Sequence, residues 1–413
     1  MTKDDIIKAA FKVWGRELYR TTSLSQIALE LGVSKTALYR HFKDKDALFD
    51  AMYTAFFEDC AGFIKSGYDR AVNADSTRES FRIWIRTISE YYVRNKDAFI
   101  FSLIWTYNNR DRAGISEEFR KRGIDFLHPA FREKQVRYPS GLQLAVATLV
   151  YSIAHFHRKN HELAEIPETE VERMLTEIEA LVSGGLGLEA KNVAALDFEA
   201  LEQRASRAPI EETENNVLLR AVAEAVAEAG PWETSMEMVA RRSGLSKSGL
   251  YAHFKSKKDM LTQLFIAEFT RISNFAKIHI ETSEVPGEQL YLAIISIIDY
   301  LRSRPEILVA LDWVKTGRLD LELELDLEKE IFDRMYRIIG EIKLEAVQNL
   351  DRHFLVWAAQ WILFMIVNTL ALWPAQGGKD RASNWAKYTI EIPNESFRTL
   401  FRFIALGLEA IDQ

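Results

Sequence analysis

Gly32-Val-Ser-Lys-Thr-Ala-Leu-Tyr-Arg-His-Phe42 returns 212 positions later as Gly244-Leu-Ser-Lys-Ser-Gly-Leu-Tyr-Ala-His-Phe254. Just upstream of the first copy, Ser23 stands three positions before Gln26, the spacing of a capping box that starts a helix. Leu24, Ile27, Ala28 and Leu31 then recur at helical spacing. Gly32 follows, where a helix commonly ends in the left-handed conformation that glycine adopts without steric cost. Ser34 caps a second helix whose buried face carries Ala37, Leu38 and Phe42. The stretch predicts helix, tight turn and helix around one apolar seam.

The outward face of that second helix carries Lys35, Thr36, Tyr39, Arg40 and His41. Lysine and arginine suit phosphates, while threonine, tyrosine and histidine can reach phosphates or base edges. Asp44 caps the next helix and leaves Lys45 on its first turn, beside backbone N–H groups that favour an anion. The second copy repeats this logic with Ser235, Met236, Val239, Ala240, Gly244 and Ser246, and with Ser256 and Asp259 opening the helix of Lys257 and Lys258. The window Ser235–Lys258 holds six basic residues and one acid, against four and three in Ser23–Asp46. The second copy is therefore expected to grip phosphate harder. Two solvated surface hairpins would explain one copy, but two copies at one spacing, both ending Leu-Tyr-x-His-Phe-Lys, argue for a shared task.

The motif Ser-Lys-x-x-Leu-Tyr-x-His-Phe-x-x-Lys, at Ser34–Lys45 and Ser246–Lys257, resembles the DNA-binding module of TetR/AcrR transcriptional regulators. The resemblance implies an N-terminal helix packed on a helix-turn-helix, followed by an all-helical domain that binds small molecules and dimerises. Such regulators are usually half this length and act as homodimers. The family often has Gly-Thr before Leu-Tyr, where this chain has Thr36-Ala37 and Ser248-Gly249.

The 413 residues, 48% apolar and 27% charged, suit a soluble protein of two or three domains. The start, Met1-Thr-Lys-Asp-Asp, shows no secretory pattern, and one cysteine, Cys60, suits a reducing cytosol, so a cytoplasmic location is expected. A net charge of −7 argues against a general nucleic-acid coat but leaves a local basic site open.

In chain order, helices are expected over Asp4–Glu17, Ser23–Phe42 as the helix-turn-helix, Asp46–Lys65, Glu79–Asn95, Asp97–Tyr107, Glu117–Lys134 with an interruption at Pro129, Leu142–Lys159 and Glu168–Ala190. After a linker with a short helix near Leu196–Ala205 come Val217–Glu228, a turn at Gly230-Pro231, Ser235–Phe254, Met260–Ile280, Glu288–Arg302 and Pro305–Lys315. The alternating Leu319–Leu327 reads as loop entering helix. The repeats also match at their ends, Gly185-Leu-Gly-Leu-Glu-Ala190 against Ala405-Leu-Gly-Leu-Glu-Ala410. The expected division is 1–45 and 213–257 as helix-turn-helix modules, 46–190 and 258–413 as helical ligand and dimerisation domains, and 191–212 as linker. The fold class is all-α: two tandem repeats forming a single-chain pseudo-dimer.

Phe354–Trp373 has seventeen apolar residues in twenty, enough to span a bilayer. Gln360, Asn368 and Thr369 interrupt it, and a helix apolar all round can be buried instead. Its expected place is the interface between the halves, with Leu142–Lys159, Glu168–Ala190 and Ser396–Ala410; Gly141, Ala145, Ala147, Gly187 and Gly407 would allow close approach. That pairing would set the reading helices about 34–36 Å apart, one DNA turn.

The expected DNA-binding residues are Lys35, Thr36, Tyr39, Arg40, His41 and Lys45, with Lys247, Ser248, Tyr251, His253 and Lys257. Trp84, Tyr91, Trp105, Tyr107, Tyr151 and His155 are the expected lining of a hydrophobic effector site in the first half, although core packing alone accounts for most such aromatics. The expected partners are operator DNA and a small hydrophobic effector, with no membrane and no cofactor. His157 and His161 lie one helical turn apart, but no thiolate or carboxylate signature completes a metal set. No nucleophile elbow, phosphate loop or zinc-protease motif suggests an enzyme. A hydrophobic-ligand carrier or an interaction scaffold is the competing class, and it would show no salt-dependent DNA affinity.

Overall fold

The computed structural model describes residues 2–14, 23–109, 112–126, 128–131, 138–163, 165–206, 215–316, 342, 352–372 and 392–410. All regular elements among them are helical. The chain divides into two compact units, 1–135 with 149–182, and 136–148 with 183–413.

The first unit opens with α1 (Lys3–Trp14), α2 (Leu24–Glu30) and α3 (Lys35–Tyr39). Then come α4 (Lys45–Val72), α5 (Thr77–Arg94), α6 (Lys96–Asn109) and α7 (Arg112–Lys121), with a single 3-10 turn at Pro129–Phe131. Residues 149–159 of α8 (Gly141–Lys159) and α9 (Glu168–Gly184) up to Val182 complete the unit. α4 and α5 lie against each other, burying Phe57, Phe81, Trp84 and Tyr91. Ion pairs Arg82–Glu179, Arg86–Glu172 and Arg94–Glu168, at 2.6–2.7 Å, strap α5 to α9. Phe101 on α6 touches Phe11 of α1 at 5.0 Å and Phe49 and Phe56 of α4 at 5.7 and 5.4 Å, so the helix-turn-helix rests on the helices below it. Each such aromatic contact is worth about 0.5–1.5 kcal/mol beyond its burial.

The second unit repeats the order. α10 (Ala190–Ala194) and α11 (Phe198–Ala205) precede α12 (Asn215–Glu233), α13 (Met236–Ser243), α14 (Lys247–Tyr251), α15 (Lys257–Ile280), α16 (Pro286–Ser303) and α17 (Pro305–Thr316). α18 (Arg352–Leu372) and α19 (Asn394–Leu406) close it. In α18 nearly every side chain from Ala358 to Ala371 is buried, with Trp361 wholly so, as expected for a helix without a polar face. Trp361 Nε1 donates to Thr148 Oγ1 at 3.1 Å, and the Tyr138 hydroxyl to the Thr369 carbonyl at 2.6 Å, fixing residues 138–148 to α18. No helix among the described residues is long and apolar enough to cross a membrane.

Several elements differ from the sequence expectation. The helix expected over Glu168–Ala190 stops at Gly184, because Gly185 and Gly187 turn left-handed at φ 58° and 75°. The freed N–H groups of Leu186 and Leu188 donate to the carbonyls of Ile404 and Ala405, at 2.8 and 3.1 Å. The two matching repeat endings thus meet each other. Close approach is at Gly185, whose added Cβ would lie 2.5 Å from the Ile404 oxygen, and not at Gly187, where nothing lies within 4 Å. The helix expected from Glu117 to Lys134 begins at Arg112 and ends at Lys121, and Gly123 follows at φ 74°. The turn expected at Gly230-Pro231 is absent: α12 continues to Glu233, with the proline in its final turn, where its missing donor forfeits one hydrogen bond without ending the helix.

The segment read as a linker is itself docked. The Glu202 carboxylate on α11 accepts from the Tyr291 hydroxyl at 2.6 Å, Asn394 Nδ2 at 2.8 Å, and Arg398 Nε and Nη2 at 2.8 and 3.0 Å. Phe198 packs edge-on against Tyr291, while Arg398 and Arg402 lie over its ring. Leu319–Leu327 lies outside the described residues.

Candidate nucleic-acid interface

Capping builds both α3 and α14. Ser23 and Gln26 form the reciprocal box, with the Ser23 N–H donating to Gln26 Oε1 at 2.6 Å and the Gln26 N–H to Ser23 Oγ at 3.3 Å. Gly32 and Gly244 take φ 64° and 70°, and nothing lies within 4 Å of a Cβ at either, so the backbone conformation alone selects glycine. Ser34 Oγ then accepts the Ala37 N–H at 3.3 Å, and Ser246 Oγ the Gly249 N–H at 3.0 Å. Asp44 and Ser256 cap the long helices that follow, accepting from Ala47 and Asp259. Each cap is worth about 1 kcal/mol. On the inner face, Leu38 and Leu250 are fully buried, with Phe42 and Phe254 beside them.

That burial pushes the opposite face outward. Lys35, Thr36, Tyr39 and Arg40 are exposed, as are Lys247, Ser248, Tyr251 and His253; His41 is half-buried. Tyr39 and Tyr251 are 46% and 47% exposed, an unusual position for tyrosine and the same in both copies. The regular helices are short, ending at Tyr39 and Tyr251, so Arg40 and His41 sit in the turn after α3 and not on the helix. Lys45 and Lys257 are half-buried at the starts of α4 and α15. Burial lowers the proton affinity of each, against the opposing pull of Asp46 on Lys45 and Glu233 on Lys257.

The copies differ in their charges. Lys35 Nζ lies 5.7 Å from the Tyr39 ring centre, a cation–π distance. Its counterpart Lys247 is paired instead with Glu237 on α13. Lys12 of α1 pairs with Glu30 of α2 at 2.8 Å, and at the same two positions of the second module Glu224 pairs with Arg242 at 3.4 Å. The ion pair is kept and its polarity is inverted. Sequence reading missed this, though laying the copies over each other at 212 positions displays both exchanges. It also missed Arg241, exposed where the first copy has Leu29, itself 80% exposed.

The expected effector residues lie in the first unit. Trp84 packs against Tyr68 and Phe126. The Tyr91 hydroxyl donates to Asp59 Oδ2 at 2.8 Å, and Tyr151 stacks on His155. Trp105 and Tyr107 have side chains outside the described residues. His157 and His161 do not converge on a metal: His157 Nε2 meets the Tyr92 carbonyl and His161 Nδ1 the Arg158 carbonyl, both at 2.8 Å. Among the described residues no three His, Cys, Asp or Glu side chains gather as a metal site.

A family model for bacterial regulatory proteins of the tetR family matches residues 6–52 and again 218–264. Both modules are therefore tetR-family helix-turn-helix DNA-binding domains, carried in tandem on one chain. A relative from Bacillus subtilis (strain 168), described as the uncharacterized HTH-type transcriptional regulator YerO, is 41% identical over 46 residues, or 11% of this chain and 16% of that protein. The chain thus matches about a sixth of that relative's length. Among solved structures, the transcriptional regulator FadR from Bacillus subtilis in complex with stearoyl-CoA is 20% identical, with a TM-score of 0.34 over 46% of this chain and 98% of that one. The fatty acid degradation regulator FadR from Bacillus halodurans is 16% identical, with a TM-score of 0.35 over 47% and 96%.

Proposed function

We propose that the chain is a sequence-specific transcriptional regulator, a repressor released by a small hydrophobic or aromatic effector, whose two halves serve as one another's partner on an imperfect palindrome. The observation that carries this reading is the matched outward face of α3 and α14, with lysine, hydroxyl and exposed tyrosine at the same positions above the same buried leucine. Lys35, Thr36, Tyr39, Arg40, His41 and Lys45 would read one half-site, and Lys247, Ser248, Tyr251, His253 and Lys257 the other. Arg40 against Ala252 makes the half-sites unequal. The meeting of the repeat endings at 186–188 and 404–405 supports internal pairing. Fusion would hold the halves at millimolar effective concentration, making assembly independent of protein level.

Trp84, Tyr91, Trp105, Tyr107, Tyr151 and His155 are the proposed surroundings of the effector, in the domain placed at 46–190. Release from DNA would follow from tighter effector binding to a state whose reading helices no longer match one DNA turn, limited by that difference in affinity. The test is selection of bound duplexes from a random pool, followed by a base-substitution scan and a salt titration. Six to ten phosphate contacts predict a loss of about 10³–10⁵ in affinity between 50 and 200 mM salt. Flat salt dependence would leave a hydrophobic-ligand carrier as the better reading, and equal penalties at mirror positions would remove the unequal half-sites.

A further inference from the structure

Six basic residues against four make the second module look the stronger phosphate binder, yet some of the six are already engaged, Arg242 by Glu224 and Glu228, and Lys247 by Glu237. Lys247, the first residue of α14, is in contact with the Glu237 carboxylate on α13. Both side chains are 56% exposed, so the pair stands on the surface that α14 presents and not in the core. The partners reinforce each other: Lys247 holds the Glu237 carboxyl below its usual range, and Glu237 raises the proton affinity of Lys247. In the first module the position of Glu237 is taken by Ser25, exposed, and Lys35 lies over the Tyr39 ring. The same lysine, on the same capped helix, thus has a carboxylate beside it in one copy and an aromatic face in the other.

We propose that Glu237 limits the phosphate affinity of the second module by competing with DNA for Lys247, an inference that rests on the DNA-reading function above. A lysine that must leave a carboxylate to reach a phosphate releases a DNA counterion but exposes an anion beside the backbone, so it adds almost nothing to the effective number of contacts. Among the described residues no carboxylate pairs with Lys35, which then counts as a full contact. The second module then grips through its basic residues other than Lys247, which is held back. This trims the sequence-independent part of binding, the part that lets a regulator linger on arbitrary duplex. Glu237 acts through Lys247 and is a positioning residue, not a reader of bases.

The experiment uses the full chain and a random-sequence 30-base-pair duplex, with affinity measured from 50 to 300 mM salt. Glu237→Gln should steepen the slope of log affinity against log salt by about 0.9, equivalent to about eightfold tighter binding near 0.1 M. Lys247→Met should flatten the slope in the native background, since it leaves the Glu237 carboxylate unpaired, and in the Glu237→Gln background should return the slope to about its native value, which assigns the gain to Lys247. Ser25→Glu should impose the converse on the first module, flattening the slope by about 0.9. All three positions are exposed, and unchanged circular dichroism confirms that folding is intact. An unchanged slope in Glu237→Gln, with the native chain binding duplex in a salt-dependent way, overturns the inference alone. Absence of salt-dependent binding by the native chain overturns the DNA-reading function and this inference with it.

Discussion

Replacing Gly185 by alanine should cost far more than the same change two residues later, and the difference can be worked from the geometry. Gly185 sits at φ 58°, and its Cβ would stand 2.5 Å from the Ile404 oxygen, 2.7 Å from the Gly407 nitrogen and 2.8 Å from the Ala405 carbonyl carbon. All three are backbone atoms, so no rotamer change relieves the overlap. A left-handed alanine costs about 1–2 kcal/mol, and forcing atoms into a packed seam adds about 1–3 kcal/mol. The expected total for Gly185→Ala is about 2–5 kcal/mol, with weakening of the Leu186 and Leu188 bonds to Ile404 and Ala405. Gly187 has φ 75° but open space around it, so Gly187→Ala should cost only about 1–2 kcal/mol from the backbone term. Urea unfolding followed by tryptophan fluorescence gives the two values, and amide exchange at Leu186 and Leu188 locates the damage. Equal destabilisation by the two variants, or unaltered exchange at both amides in Gly185→Ala, would refute the argument that a backbone-to-backbone seam joins the repeat endings.

Burial drops the His157 pKa to about 4, so the folded state refuses a proton that the unfolded chain binds near 6.5. The stability linked to His157 is therefore full above pH 6.5 and is lost as the pH falls toward 4; His157→Phe should flatten that limb of a stability–pH curve. Burial of Glu202 works against its charge, but the donors Arg398, Tyr291 and Asn394 prevail and hold its carboxyl below the usual range. Its contribution is present above the ordinary carboxylate pKa and fades in more acidic solution. Glu202→Ala should cost about 3 kcal/mol at pH 7, in denaturant midpoints, by removing the carboxylate that accepts from Tyr291, Asn394 and Arg398. Lys12→Glu should destabilise the first module by up to about 1 kcal/mol, and Lys12→Glu with Glu30→Lys should restore it by recreating the polarity of Glu224–Arg242. Tyr39→Ala and Lys257→Ala should each weaken duplex binding with an unchanged melting temperature; unaltered affinity in both would remove these residues from the interface.

The sequence by itself determined the helical class, the duplication and the capped turns. Those features depend on interactions within a few residues: a serine hydroxyl reaching the N–H three positions on, or a glycine free to turn left-handed. For the same reason the outward face of α3 was legible, since Leu38 and Phe42 can be buried on one side only if Tyr39 and Lys35 lie on the other. What only the tertiary structure decided depends on residues distant in sequence. The Glu202 cluster joins α11 to α16 and α19 across 89 to 196 positions, turning an apparent linker into a docked element. The Glu168 helix ends at Gly184 where Gly185 and Gly187 turn left-handed, but the Ile404 and Ala405 carbonyls that receive the next N–H groups are distant in sequence and beyond local reading. The polarity of the Lys247 site likewise required knowing that Glu237, ten residues away on another helix, turns back toward it. Local rules fix where helices start and which face is greasy; the partners that each polar group finds come only with the packed chain.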